Sequence, residues 1–431
     1  MKFLLLTLGC KVNTYESDAL RELFLKEGFK EVLKDETPDI ITLNTCAVTH
    51  VASKKSRQII RKYRNLYPKA IFVLMGCFVQ EEQLEVLNII DAEIILGTHY
   101  RREVVSFVQK YLKTKEKIIA LESSPNLFPY EEMAILNSPL TTRAFVKIQD
   151  GCNNFCSYCI IPYLRGRSRS RKEEDIILEM QNLVQKGYQE IVLTGINLGV
   201  YGLDLENSSL TKLIKRILTE VPTLYLLRLS SIESYTISDE LISLFKNESR
   251  LAKHLHIPLQ SGSDLILKKM KRRYTKNEYA HLINKIRQQI PKIAISSDII
   301  VGFPSEDEEA FLETFNFIKE MNFSSLHVFP FSKRAKTVAS LMPNQVNEEI
   351  KKRRVQELLE LSKKLESNYQ KMFDGQKLHV LFETYNKEEG LLKGHTSNYL
   401  RISLKSQSDL SGEVHQIIYF STSEIKLANG K

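Results

Sequence analysis

The feature that constrains this 431-residue chain most is the placement of its six cysteines: Cys10, Cys46, Cys77, Cys152, Cys156 and Cys159, with none in the rest of the sequence. The first three are scattered singly. The last three share one short stretch, Cys152-Asn153-Asn154-Phe155-Cys156-Ser157-Tyr158-Cys159, spaced C-x3-C-x2-C. An even count suggests disulfides only in an oxidising compartment; in a reducing one, clustered thiols point to metal ligation or redox chemistry. Any fold for the chain has to give both sets a place.

The amino terminus bears on the compartment. Met1-Lys2-Phe3-Leu4-Leu5-Leu6-Thr7-Leu8-Gly9-Cys10 places a positive residue before an apolar run ending at a cysteine, as a lipoprotein signal does. The run is shorter than a signal's apolar core and an amphipathic segment follows at once, so the expectation is a cytoplasmic protein with reduced thiols. No stretch is long enough to span a bilayer, and no membrane partner is expected. With 43% hydrophobic and 26% charged residues the chain is neither disordered nor fibrous. A net charge of +9, from 61 Lys and Arg against 52 Asp and Glu, favours an anionic partner such as nucleic acid, although that balance alone is common.

The first hundred residues alternate short apolar runs with helical patterns: Lys2 to Leu8, then Ser17 to Glu27; Asp39 to Thr45, then Ser53 to Leu66; Lys69 to Met75. This is the βαβ signature of an open parallel sheet. Cys10, Cys46 and Cys77 each follow one of these strands, and ligands of open α/β sheets gather at strand carboxyl ends, so the scattered set converges on one edge. Turn-rich runs at Ser123-Ser124-Pro125-Asn126 and Asn137-Ser138-Pro139 read as a linker. A second alternation has strands at Arg143 to Gln149, Glu190 to Thr194, Tyr225 to Ser231, His254 to Gln260, Ala294 to Val301 and Ser325 to Phe331. Six βα units predict a full or partial parallel barrel whose active face lies at the strand carboxyl ends.

A charged, leucine-bearing helix from Asn347 to about Met372 follows, and then period-two runs at Leu378 to Phe382, Tyr399 to Leu404 and Val414 to Phe420. These predict a small β-barrel, either a nucleic-acid-binding module or a structural cap. The expected fold class is thus α/β: an N-terminal open parallel α/β domain over 1–120, a linker over 121–140, a central partial (βα)6 barrel over 141–370 and a C-terminal small β-barrel over 371–431. No internal repeat or low-complexity tract is found.

Three thiolates on one short loop can hold three corners of a [4Fe-4S] cluster and leave the fourth iron free to chelate a substrate. A zinc knuckle is the competing reading. Structural zinc takes four ligands in a tetrahedron, however, and His254 and His256 lie far away on another strand.

With Tyr158 before its last cysteine, C-x3-C-x2-C opening a βα barrel resembles the radical S-adenosylmethionine (SAM) superfamily. The resemblance implies that the open iron binds the amino and carboxylate groups of SAM and that reduction then releases a 5′-deoxyadenosyl radical, chemistry owned by the cofactor. Three separated cysteines ahead of the barrel and a β-module behind it together resemble, over essentially the whole chain, the methylthiotransferases. That implies a second [4Fe-4S] cluster on Cys10, Cys46 and Cys77, which holds the sulfur to be transferred, beside the SAM cluster on Cys152, Cys156 and Cys159. One SAM would methylate that sulfur and a second would generate the radical for substitution at C2 of a flipped adenine.

Four stretches are similar to the branch acting on N6-threonylcarbamoyladenosine beside the tRNA anticodon: Leu8-Gly9-Cys10-Lys11-Val12-Asn13, Asn44-Thr45-Cys46-Ala47-Val48-Thr49, Gln149-Asp150-Gly151-Cys152 and Thr194-Gly195-Ile196-Asn197-Leu198-Gly199. The isopentenyladenosine branch usually carries Gln-Met-Asn after its first cysteine, and the ribosomal-protein branch differs near its first SAM-cluster cysteine. Isopentenyladenosine and a ribosomal-protein aspartate stay open as substrates, as does a non-catalytic iron-sulfur or zinc protein that binds RNA. The implied partners are tRNA and an electron donor such as a reductase, flavodoxin or ferredoxin; the sulfur donor is not indicated.

Beyond iron, the candidates for SAM contact are Tyr158, Asn197, Ser231, Glu233, Gln260, Ser261 and Asp298, with Gly302 allowing close backbone approach. His256-Ile257-Pro258-Leu259-Gln260-Ser261-Gly262-Ser263 is similar to the family's strand-four turn, though Ser261 and Ser263 would equally cap the next helix. Arg165, Arg167, Arg169 and Arg171 alternate directly after the cysteine loop, so guanidiniums facing one way would meet RNA phosphates or the substrate's carboxylate. Lys271-Arg272-Arg273-Tyr274 and Lys351-Lys352-Arg353-Arg354 are further basic clusters that would track RNA, though the second, on an expected helix, reads more as solvated charge. Gly394-His395-Thr396-Ser397-Asn398-Tyr399 resembles a TRAM domain, an RNA-binding β-module in which Tyr399 either packs in the core or stacks on a base.

Overall fold

A computed structural model describes the chain except at residues 34–35, 48, 83–86, 88–89, 123–127, 136–140, 422–425 and 428–431. The two turn-rich runs of the expected linker, 123–126 and 137–139, lie outside the described residues, as does position 48 of the second motif.

Strands β1 (Lys2–Thr7), β2 (Lys30–Glu31), β3 (Ile40–Thr45), β4 (Ile71–Gly76), β5 (Ile94–Leu96) and β6 (Ile118–Ala120) pair in the order β2-β1-β3-β4-β5-β6, all parallel. Every residue of β3 and β4 is buried, because helices cover both faces. Ile60 and Tyr63 of α2 (His50–Leu66) pack on Ile41, Leu43, Phe72 and Leu74. On the other face Leu20 and Phe24 of α1 (Lys11–Lys26) and Val104, Val105 and Val108 pack on Phe3, Ile40, Val73 and Met75. A five-residue helix, α3 (Cys77–Glu81), follows β4 directly, and α4 (Val104–Thr114) supplies the three valines. The strands β2, β5 and β6 are too short to show periodicity in the sequence.

The second sheet system begins at β7 (Ala144–Lys147). A small antiparallel pair, β8 (Gln149–Asp150) and β9 (Arg169–Ser170), brackets the cysteine loop and the short helix α5 (Ile161–Arg165). The wall continues with β10 (Glu190–Thr194), β11 (Leu226–Leu229), β12 (His254–His256), β13 (Ala294–Val301) and β14 (Ser325–Pro330), all parallel. Two runs, β11-β10-β7 and β12-β13-β14, are joined by parallel bridges at Leu227–Leu251 and Ser231–His256, giving six wall strands. The connecting helices are α6 (Glu173–Gln185), α7 (Leu210–Glu220), α8 (Asp239–Asn247), α9 (Asp264–Lys269), α10 (Lys276–Gln289) and α11 (Glu308–Met321).

Strand alternation sorts the chemistry. Val146, Ile191, Leu193, Leu227, Leu229, Leu255, Ile295 and Ile299 join Met180, Leu213, Ile214, Ile283 and Ile318 of the helices in one buried core, each side chain contributing roughly 1.5–3 kcal/mol. The intervening positions, among them Lys147, Thr194, Arg228, His254, His256, Ser296 and Asp298, then face the barrel interior, which is polar. The long helix α12 (Glu348–Lys371) is capped by Asn347, whose side chain accepts from the Glu349 N–H at 2.8 Å.

The last unit is an antiparallel sheet of β15 (Lys377–Asn386), β16 (Leu391–Thr396), β17 (Arg401–Lys405), β18 (Val414–Ile418) and β19 (Lys426–Leu427), ordered β17-β16-β15-β18-β19. The sequence pattern misses β16, where Gly394 interrupts the apolar alternation. This sheet covers the barrel end opposite the cysteine loop. Arg228 donates to the Thr396 and Ser397 carbonyls at 3.2 and 3.0 Å, Arg143 pairs with Glu383 at 3.1 Å, and Ala294 at the start of β13 enters the sheet's core. No described helix is long and apolar enough to cross a membrane.

Candidate active site

Parallel register brings the scattered cysteines to one edge. Thr7 aligns with Asn44 and Thr45 with Gly76, so the residues after β1, β3 and β4 leave the sheet side by side. Cys10 is the residue before α1, Cys46 follows β3 and Cys77 opens α3; Cys10 is exposed and the other two are buried. Gly9 has φ +119°, and a Cβ there would fall 2.9 Å from Cys46 Cβ, which measures how closely the Cys10 turn lies over Cys46. Asn13 braces the turn: its Nδ2 donates to the Leu8 and Thr45 carbonyls at 2.8 and 3.0 Å, and its Oδ1 accepts from Cys10 Sγ at 3.6 Å.

The clustered cysteines lie between β8 and β9. The Cys152 N–H donates to the Gly166 carbonyl at 3.0 Å. Cys152 Sγ accepts from the Asn154 N–H at 3.4 Å and lies 3.8 Å from Asn197 Nδ2. Arg272, its side chain almost wholly buried, directs Nη1 at Cys156 Sγ at 3.3 Å and Tyr158 Oη at 3.5 Å, and pairs with Glu233. Burial pushes the Cys159 thiol up to about 12, with the neighbouring Cys156 adding to it, and burial likewise raises Cys152 and Cys77. Such thiols become ligands when a metal centre supplies the positive charge.

The donor set discriminates between metals. Around one tetrahedral ion three sulfurs stand about 4 Å apart, as bond lengths of about 2.3 Å require. Among the described residues the one group of three His, Cys, Asp or Glu side chains whose ligand atoms all lie within 4.8 Å is His256, Asp298 and His327, so neither cysteine trio closes to single-ion spacing. Three thiols held wider apart suit a polynuclear iron-sulfur group. Asn197 Oδ1 and Ser230 Oγ are buried without a partner, leaving polar capacity for a ligand beside the loop.

A buried ion network joins the two trios. Glu16 on α1 pairs with Arg101 at 3.2 Å, Lys147 at 2.9 Å and Arg165 at 2.8 Å, and Asp150 pairs with Lys147 at 2.6 Å and Arg165 at 3.0 Å. Arg165 also donates to Asn13 Oδ1 at 3.1 Å, and its charge acts on the Cys77 thiol. Burial pushes Glu16 upward, but Arg101, Arg165 and Lys147 outweigh it and hold its carboxyl well below the usual range; Asp150 is depressed against burial by Lys147 and Arg165.

The four alternating arginines therefore do not share an outward face. Arg165 is buried in the network, Arg169 is buried and donates to the Arg165 carbonyl at 2.8 Å, and Arg171 is buried against Glu179 and Tyr15. Arg167 alone is exposed, over the Phe155 ring at 5.6 Å. The alternation fails because Arg165 ends a helix and only Arg169–Ser170 is extended.

The candidates for SAM contact divide. Tyr158, Asn197 and Glu233 gather around Cys152, Cys156 and Arg272. Ser231 bridges to His256, Gln260 adopts φ +69° with its N–H on the Asp298 carbonyl at 2.8 Å, and Asp298 lies 3.2 Å from both His256 Nε2 and His327 Nδ1. Burial raises Asp298, but the two histidines hold it below its ordinary value. Ser261 is fully buried with its hydroxyl 3.2 Å from Thr314 Oγ1, and the space beside Gly302 is taken by the Lys351 stem, 2.3 Å from where a Cβ would sit. Tyr399 packs inward, stacked on His254 at 4.6 Å and His395 at 4.7 Å beneath Arg228.

Sequence reasoning gave no place in the site to Arg272, Asn13, Glu16, His256, His327 or Lys11. Arg272 sits in a basic run that reads as a track for RNA, and nothing in its spacing sets it apart. Lys11 follows Cys10 and reaches toward the barrel interior, where burial lowers its pKa and Tyr399, Arg143, Arg228 and Glu190 act on it.

Three thiols on the loop after the first strand of a six-stranded parallel barrel define a radical SAM protein, and the Radical SAM superfamily model matches residues 146–318. The model described as Uncharacterized protein family UPF0004 matches residues 2–97. The fold is similar to that of the radical SAM methyltransferase TsrM from Kitasatospora setae, with TM-score 0.56 and 14% identity over 76% of this chain and 72% of that one. It is also similar to the cobalamin-dependent SAM radical enzyme OxsB, with TM-score 0.53 and 13% identity over 84% and 56%.

Among curated relatives, the threonylcarbamoyladenosine tRNA methylthiotransferase MtaB of Bacillus subtilis (strain 168) is 41% identical over 95% of this chain and 92% of its own length. The MtaB of Aquifex aeolicus (strain VF5) is 35% identical over 97% and 100%. The tRNA-2-methylthio-N(6)-dimethylallyladenosine synthase of Thermoanaerobacter sp. (strain X514) is 38% identical over 89% and 82%. The chain belongs to the radical SAM tRNA methylthiotransferase family and is an enzyme of that family.

Proposed function

We propose that the enzyme converts N6-threonylcarbamoyladenosine beside the tRNA anticodon to its 2-methylthio derivative, with Cys152, Cys156 and Cys159 holding a [4Fe-4S] cluster that binds SAM and Cys10, Cys46 and Cys77 holding a second. The observation that carries this reading is the meeting of the two trios across one buried interface. Arg165 bonds Asn13 beneath Cys10 on one side and Asp150, two residues before Cys152, on the other. When bound, the clusters and SAM supply the radical and sulfur-transfer chemistry.

The chain's own residues hold and orient. Asn197, Tyr158 and Glu233 line the cysteine loop, and Ser231, Gln260 and Asp298 continue that polar edge along the next strands, so these six are the proposed SAM contacts. Arg272 fixes Cys156 and Tyr158 in place. Glu16, Arg101, Lys147, Asp150 and Arg165 fix the separation of the trios and exclude water between them. Arg167 is the exposed guanidinium beside the loop and the proposed contact to tRNA phosphate. An electron donor of the flavodoxin or ferredoxin kind, and a cytoplasmic location, accompany this reading.

The threonylcarbamoyl substrate is supported by the B. subtilis relative and by a polar barrel interior, which suits a carboxylate better than an isopentenyl group. Mass spectrometry of nucleosides from tRNA incubated with anaerobically reconstituted protein, SAM and a reductant tests it. The expected product is 2-methylthio-N6-threonylcarbamoyladenosine. Its absence while 5′-deoxyadenosine still forms would reject this substrate; absence of both with clusters loaded would reject the catalytic assignment.

A further inference from the structure

Among the described residues, Lys11 is a cation at the barrel interior that no ion pair holds. Arg228 pairs with Glu190 at 2.6 Å, Arg143 with Glu383 at 3.1 Å, and Lys147 with both Glu16 and Asp150. Asp298 lies between His256 and His327. Lys11 has no hydrogen bond or ion pair among the described residues. Its side chain is withdrawn from bulk water but not sealed off. It stands near enough to Tyr399, Arg143, Arg228, Glu190 and His254 for their charges to be felt, and Glu190, the carboxylate among them, is already paired with Arg228. A cation withdrawn from bulk water without a carboxylate is costly, and an anionic ligand removes that cost.

Position selects the anion. Lys11 is the residue after Cys10, so whatever it binds is held against the N-terminal trio and inside the barrel. Arg165, Arg169 and Arg171 are already engaged within the protein, and Arg167 lies outside on Phe155.

We propose that the Lys11 ammonium binds the carboxylate that terminates the N6 substituent of the target adenosine, and so selects a carboxylate-bearing substrate over an apolar one. This rests on the threonylcarbamoyladenosine reading above. An ammonium donates up to three hydrogen bonds as a compact point charge, which suits a carboxylate at the end of a flexible chain. The adenine ring is thereby left oriented by its tail, with the tail in the barrel and the ring toward the cysteines.

The test is equilibrium binding by the cluster-reconstituted full chain, without SAM or reductant, of two anticodon stem-loop RNAs. One carries N6-threonylcarbamoyladenosine and the other its methyl ester, which keeps the size and removes the charge. Wild-type protein is expected to bind the acid about ten- to a hundredfold more tightly than the ester. Lys11→Gln and Lys11→Met should lose that preference by weakening the acid alone, and Lys11→Arg should restore part of it. Iron content equal to wild type shows that each variant has kept its neighbouring cysteine site.

If a cluster-loaded Lys11→Gln retains the full preference for the acid, the Lys11 assignment is wrong while the substrate reading stands. If the variant weakens acid and ester equally, Lys11 holds an RNA phosphate instead, and the proposal is likewise overturned. If wild-type protein shows no preference between acid and ester, no carboxylate is read and the proposal is overturned; the substrate reading fails separately, by absence of the 2-methylthio product in the nucleoside assay above.

Discussion

Cys152, Cys156 and Cys159 share one loop between β8 and β9, whereas Cys10, Cys46 and Cys77 come from the ends of three parallel strands and meet only once the sheet has paired. Each trio has a buried arginine at one of its sulfurs, Arg272 at Cys156 and Arg165 at Cys77. Arg272 belongs to the same barrel as its trio and is tied to Glu233 there. Arg165 belongs to the barrel but serves the N-terminal trio, through Asn13 and Glu16. The local trio is thus a property of one segment, and the scattered trio is a property of the interface between two domains.

That contrast is broken most completely at the sulfurs. Cys156→Ala is expected to abolish SAM cleavage, read as loss of 5′-deoxyadenosine, whereas Cys46→Ala should preserve cleavage and abolish methylthiolated product. Full methylthiolation by Cys46→Ala would show that the two trios do not have separate roles.

The next largest effect tests the interface. Removing one partner of a buried ion network strands the others, at a cost of about 3–5 kcal/mol. Arg165→Met should lose that much in denaturant unfolding, while Arg167→Gln, in the same arginine run but exposed, should change stability by less than about 0.5 kcal/mol. Equal losses would mean that the interface does not depend on Arg165.

A smaller effect follows from pH. Glu16 is held charged in the folded protein more firmly than in an unfolded chain, where a glutamate titrates near about 4.3. Its stabilisation is therefore complete above that pH and is lost as pH falls below it. Denaturation midpoints measured from pH 7 down to about 3 should fall more steeply for wild type than for Glu16→Gln; parallel curves would remove Glu16 from the account. Smallest of all, Arg167→Gln should weaken tRNA binding only severalfold and lower the salt slope by about one phosphate contact.

Much of this was legible in the sequence because it rests on local pattern. C-x3-C-x2-C announces its loop, and the strands carrying Cys46 and Cys77 are long enough to show their apolar runs. Pattern also located the six barrel strands and the helix capped by Asn347. What pattern could not show is partnership across distance. The alternation Arg165 to Arg171 looks like an outward face, yet Glu16, Asp150 and Glu179 turn three of the four inward, and those acids lie as far as 149 positions away along the chain. Arg272 reads as one more basic residue facing RNA for the same reason, since only the fold brings it to Cys156. Ser261 reads equally as ligand or cap, and Thr314, on a helix 53 positions further along the chain, decides where its hydroxyl goes.

The most direct test of two separate cluster sites is quantitative Mössbauer and iron analysis of anaerobically reconstituted wild type beside Cys46→Ala and Cys156→Ala. The account predicts about eight irons per wild-type chain, as two [4Fe-4S] clusters require, and about four in each variant. A wild-type chain that saturates at four, or a single variant that loses all of its iron while still folded, would contradict it.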